Sequence, residues 1–99
     1  MVKALSEAEI IEALEALNGW SKDGEALSKE FKLENYLDGV ALASAIGVIA
    51  QGMDHHPEMV IAYKKVMVHF STHDAGNKIT AKDVKAAQAV DALSFPKAT

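Results

Sequence analysis

The chain has 99 residues, 49% of them hydrophobic, with a formal net charge of -4, which suits one small domain over residues 1–99 with a modest core. With no Lys/Arg cluster larger than the pair Lys64–Lys65, it lacks the basic surface that binds phosphate backbones, so direct nucleic-acid binding is not expected. There is no cysteine, which excludes disulfides and thiolate chemistry and fits a reducing, cytoplasmic setting.

The opening "MVKALSEAEI" has no apolar signal core, and no apolar run approaches the length of a membrane span, so neither a secretory signal nor membrane insertion is predicted. Ser6 followed by Glu9 forms a capping box. Ile10, Ala13, Leu14 and Leu17 then mark one buried helix face, which Asn18–Gly19 ends. Trp20 starts a new segment, with a turn signal at Asp23–Gly24. Leu27, Lys29, Phe31 and Leu33 then alternate with polar residues as in a strand, Lys29 being the exception on the apolar side.

"NYLDGVALASAIGVIAQGM", from Asn35, is too long for a strand and predicts a helix. Its glycines lower helix propensity. They allow either close packing on a sheet or a loosened end at Gly52. Glu58–Tyr63 and Val66–Thr72 read as a second hairpin turning at Lys64–Lys65. Met59, Ile61, Tyr63, Met67 and His69 are assigned to its outer face, apolar enough to suggest a subunit contact. Thr80 with Asp83 resembles a capping box for a last helix bearing Val84, Ala87, Val90 and Leu93, and Pro96 follows its end. The order α-β-β-α-β-β-α predicts an α+β fold, a four-stranded antiparallel sheet with helices packed on one face.

Between the long helix and the second hairpin lies "GMDHHPE". Pro57 restricts His56 to extended geometry. A hairpin centred on Lys64–Lys65 would return His73 beside His55 and His56, placing three imidazoles at one sheet edge. Imidazole titrates near neutral pH and can both donate and accept protons. The i, i+4 pair His69 and His73 would hold one metal on a helix. On a strand it spans about 13 Å, so no metal site is predicted. His69 is expected at the surface or an interface.

Asp54-His55-His56-Pro57-Glu58, Tyr63, Ser71-Thr72-His73 and Asp83, with Trp20 after a glycine, resemble the signature of the pterin-4a-carbinolamine dehydratase family along nearly the whole chain. The resemblance implies dehydration of 4a-hydroxytetrahydropterin to quinonoid dihydropterin, in recycling of tetrahydropterin, without metal or organic cofactor. It implies His55, His56 and His73 as acid/base and binding histidines, leaving open which protonates and which deprotonates. Asp54, Pro57, Ser71, Thr72 and Asp74 would line the pterin site. A homodimer or homotetramer is implied as well. Animal relatives also serve as dimerisation cofactors of a homeodomain transcription factor, a role for which this chain carries no sequence feature.

Two positions depart from the family pattern. Gln51 stands where an acid is common, and Met59 where an aromatic is common. Gln51 motivates the alternative of a weakly catalytic or non-catalytic assembly partner on the same fold. Met59 is assigned to the outer sheet face or the site rim.

Overall fold

Ser6 caps the first helix, α1 (Glu7–Ala16), as its spacing predicts. In the computed structural model, which describes residues 2–93, Ser6 Oγ accepts the Glu9 N–H at 3.2 Å and Glu9 Oε1 accepts the Ser6 N–H at 2.8 Å. The bond from the Ser6 backbone holds the Glu9 carboxyl below its ordinary range. A tight turn with Gly24 at φ 60° joins β1 (Ser21–Asp23) to β2 (Ala26–Lys32). Helix α2 (Tyr36–Met53) crosses to the hairpin of β3 (Glu58–Ala62) and β4 (Lys65–Phe70), and α3 (Ala81–Asp91) follows. Pro96 lies outside the described residues.

The sheet is antiparallel throughout, in the order β1-β2-β4-β3. β4 is therefore an interior strand, paired on both edges, and it runs straight into the Ser71-Thr72-His73 segment. Leu27 and Phe31 of β2 pair in register with Phe70 and Val66 of β4, and the helices cover this face. Leu42 and Ile46 of α2 and Ala87 and Val90 of α3 complete the core. Burying each large side chain contributes about 1.5–3 kcal/mol. The fold is the α+β arrangement expected from the sequence.

Lys29 does face this core side, and the structure supplies the reason it is tolerated. Its Nζ sits 2.9 Å from Asp91 Oδ1 and 4.7 Å from the Phe31 ring centroid. Asp91 also accepts from Trp20 Nε1 at 3.0 Å. One carboxylate at the end of α3 thus satisfies a half-buried ammonium and a buried indole.

Three local expectations change. Ala62 pairs with Lys65, so the hairpin turns at Tyr63–Lys64, one residue earlier than residue type suggested. Met59 and Ile61 pair with Val68 and Val66 and share their core side, whereas Glu58 and Val60 pair with His69 and Met67 on the open face. Tyr63 is in the exposed turn. The outer face is therefore more polar than predicted, and Met59 packs against the core. Finally, α2 has 18 residues and by length and composition meets the minimum for a membrane span, contrary to expectation. It instead buries Gly39, Leu42, Ala43, Ile46 and Ala50.

The glycines of α2 are not equivalent. A Cβ on Gly39 would meet Val66 Cγ2 at 3.4 Å, so this residue allows the helix to approach the sheet closely. A Cβ on Gly47 would meet nothing within 4 Å, and Gly52 lies inside the helix, which ends only at Asp54. Gly47→Ala should therefore gain helix propensity without a clash, stabilising the fold by about 0.5–1 kcal/mol. A denaturant midpoint equal to or below that of the wild type would show that position 47 needs its glycine for another reason.

Candidate active site

Helix α2 ends with Asp54 in the left-handed region, φ 51° and ψ 42°. Aspartate is among the few non-glycine residues that enter this region readily. The His55 N–H then reaches back to the Ala50 carbonyl at 3.0 Å, closing the helix end. From this sharp turn the two histidines diverge, His55 buried and His56 exposed. Pro57 follows and holds the chain extended into β3.

His55 points inward. Its ring lies nearly parallel to that of Phe70, with an interplanar angle of 8° and centroids 5.9 Å apart. Its Nε2 is 2.6 Å from Asp83 Oδ1. Asp83 is completely buried in the first turn of α3. Its other oxygen accepts the Thr80 N–H at 2.8 Å, closing the predicted capping box, and the Thr72 hydroxyl at 2.9 Å. Thr72 Oγ1 is also 2.6 Å from Thr80 Oγ1. Since the single Thr72 proton goes to Asp83, Thr80 is the donor in that contact. The carboxylate accepts, so His55 carries its proton on Nε2.

The loop after β4 fixes the remaining residues. Thr72 pairs with Lys78, its N–H donating to the Lys78 carbonyl at 2.8 Å and its carbonyl accepting from Asn77 at 3.0 Å. Between them a 3-10 turn, His73–Ala75, is reversed by Gly76 and Asn77 at φ 75° and 61°. Thr72 is thereby pinned inward while His73 is exposed.

A cleft of about 450 Å³ opens here. His56, Pro57 and Glu58 line it from the turn into β3, and Ser71 and His73 from the segment after β4. Ala26, Asn77 and His69 complete it. His56 Nε2 is 2.9 Å from Gln51 Oε1, so the neutral amide oxygen orients the ring.

Of the predicted site residues, His56, His73, Pro57 and Ser71 therefore meet in one cleft. His55 and Thr72 stand one layer behind it, joined by Asp83. Asp54 and Asp74 are exposed beside His55 and His73 in the chain and are not among the cleft walls. The three imidazoles do not form a single row. His69 is in the wall, where the sequence reading left it at a surface or interface. Its alternation on β4 opposite Phe70 was the available signal, but nothing in the sequence showed that the β1–β2 hairpin reaches it. Among the described residues no group of three or more His, Asp or Glu side chains converges as a metal site.

Known proteins resemble this chain along most of its length. A protein of Natronomonas pharaonis named for the pterin-4-alpha-carbinolamine dehydratases is 43% identical over 94 residues, covering 95% of this chain and 99% of its own. One of Aquifex aeolicus, named likewise, is 39% identical, covering 94% and 93%. A crystal structure of a transcriptional coactivator/pterin dehydratase from Brucella melitensis superposes with a TM-score of 0.83 at 36% identity, over 90% of this chain and 96% of that one. The sequence profile of the family described as Pterin 4 alpha carbinolamine dehydratase matches residues 3–93, so the stretch that holds the His-His-Pro turn, the Thr72 loop and the buried Asp83 lies wholly within it, and the chain belongs to that family.

Proposed function

We propose that this protein dehydrates 4a-hydroxytetrahydropterins to quinonoid dihydropterins by histidine acid/base catalysis. The observation that supports the reading is that His56 and His73 both line one cleft. In the reaction the N5 lone pair forms the C4a=N5 bond as the C4a–O bond breaks. The hydroxyl leaves as water with a donated proton, and the proton on N5 passes to a base. Two imidazoles around one bound ring supply both transfers.

Gln51 accepts from His56 Nε2, which leaves Nδ1 with the lone pair in the neutral ring. His56 is therefore assigned as the base for the N5 proton, and His73, whose ring meets no protein partner among the described residues, as the acid for the hydroxyl. His55, held by Asp83, acts as the positioning residue that fixes the His55–His56 turn. Pro57 and Ser71 contact the pterin. Exposed Leu37 and Val48 on α2 and Val60 on the open sheet face support assembly with further copies of this chain.

The test is direct. Enzymatically generated 4a-hydroxytetrahydropterin is followed by absorbance with and without the protein. Acceleration over the spontaneous reaction is expected. No acceleration by folded protein would reject the dehydratase reading.

A further inference from the structure

The loop that carries His73 is anchored on its inner side and open on its outer one. Inside, the Thr72 hydroxyl is held by buried Asp83 and Thr80. Outside, Gly76 and Asn77 turn the chain at positive φ, and a Cβ on Gly76 would meet nothing within 4 Å. Among the described residues, a single side-chain ion pair ties residues 73–78 to the rest of the protein. In it, Lys78 Nζ sits 2.8 Å from Glu25 Oε2. The Lys78 carbonyl takes the Thr72 N–H, so this residue closes the loop at its far end.

Glu25 lies in the turn between β1 and β2, and register makes that turn the neighbour of the loop. Leu27 pairs with Phe70. One step further, Ala26 stands opposite Ser71, and both line the cleft. A second tie, Asp23 Oδ2 to His69 Nε2 at 3.3 Å, fastens the turn to β4. The hydrogen bond from Lys78 holds the Glu25 carboxyl below its ordinary range, so it is ionised at neutral pH. Lys22, 3.9 Å from the other Glu25 oxygen, acts in the same direction. An exposed ion pair adds little to a fold. This one joins two segments of the cleft rim, so its effect falls on where the loop sits.

We infer that Glu25 and Lys78 are positioning residues: their ion pair makes the β1–β2 turn a brace that sets the loop carrying His73 in place at the cleft. The catalytic consequence rests on the dehydratase reading above, and the brace itself does not.

The test uses Glu25→Gln, Lys78→Met, the two combined, and Lys78→Arg, which keeps the charge. Both side chains are exposed, so each variant is expected to fold. Native-state hydrogen exchange is read at the Gly76 and Asn77 amides, whose protons go to the His73 and Thr72 carbonyls. The Asp38 amide, capped by Asn35 at the opposite end of α2 from the His-His turn, is the reference. Exchange at Gly76 and Asn77 should quicken about two- to fivefold in each single removal, the range that an exposed ion pair supplies. Asp38 should not change. The combined variant should be no faster than the faster single one, and Lys78→Arg should match wild type, because one interaction is removed or kept. In about 1 M salt, where screening acts over about 3 Å, wild type should approach the variants. In dehydration, kcat should fall by about the same factor with KM nearly constant, and Lys78→Arg should restore it. A smaller change at Gly76 and Asn77, or an equal one at Asp38, overturns the brace. A quickened loop with wild-type kcat overturns the positioning of His73. If wild type shows no dehydration, the dehydratase reading fails, and exchange alone decides the brace.

Discussion

His56→Ala and His73→Ala are each expected to lower kcat/KM for dehydration by about 10²–10⁴-fold, the usual contribution of a positioned acid or base. Both side chains are exposed in the cleft and neither supports the core. Folding stability should therefore change by no more than about 0.5 kcal/mol. The two losses separate by experiment: thermal unfolding reports the fold, and stopped-flow dehydration reports the chemistry. If the imidazoles act on one concerted step, the double variant should be scarcely slower than the worse single one, because groups acting as a unit are not additive. A single variant that keeps more than a tenth of wild-type activity would remove that histidine from the proton transfer. His55→Ala makes a useful contrast. It deletes a buried ring stacked on Phe70 and bonded to Asp83, so it should lose stability as well as activity.

Much of the fold was legible because local and long-range signals agree. The Ser6–Glu9 and Thr80–Asp83 boxes cap their helices as read, and Leu27, Phe31, Val66, Val68 and Phe70 all face the core. The β3 face was not legible. "EMVIA" is apolar on both sides, so alternation cannot choose between them, and only pairing with β4 does. The turn position mattered for the site. Extended past the strands, the observed register sets Thr72 at the level of His55, where a hairpin centred on Lys64–Lys65 would have set His73 beside His56. That level is what lets His55 and Thr72 reach the same carboxylate. The histidines were visible as residue types, but their division into one inside and two outside depends on the left-handed turn at Asp54. The Gln51 contact to His56 follows from the helix end that the same turn closes. The pairing of His69 with Asp23 joins residues 46 apart, and no local pattern reports it.

Asp83→Ala should be the most destabilising single substitution in the site. It leaves the His55 Nε2–H, the Thr72 hydroxyl and the Thr80 N–H without an acceptor in a region closed to water. Each unmet buried donor costs about 1–3 kcal/mol. Partial relaxation brings the total to an expected loss on the order of 4 kcal/mol, a large share of the about 5–15 kcal/mol that holds a small domain. The denaturant midpoint measures it, and a loss below about 1 kcal/mol would mean that the network is not fully buried. Asp83→Asn separates support from chemistry. Its remaining oxygen can keep Thr72 and Thr80, which turns the amide N–H toward His55. His55 must then accept at Nε2 and carry its proton on Nδ1, the reverse of its wild-type state. A smaller stability loss is expected, about 1–2 kcal/mol, together with at least a tenfold fall in kcat, because the turn that presents His56 is held through the wrong tautomer. An Asp83→Asn variant that loses stability while keeping kcat within twofold would confine Asp83 and His55 to holding the fold, with no part in positioning His56 for the proton transfer.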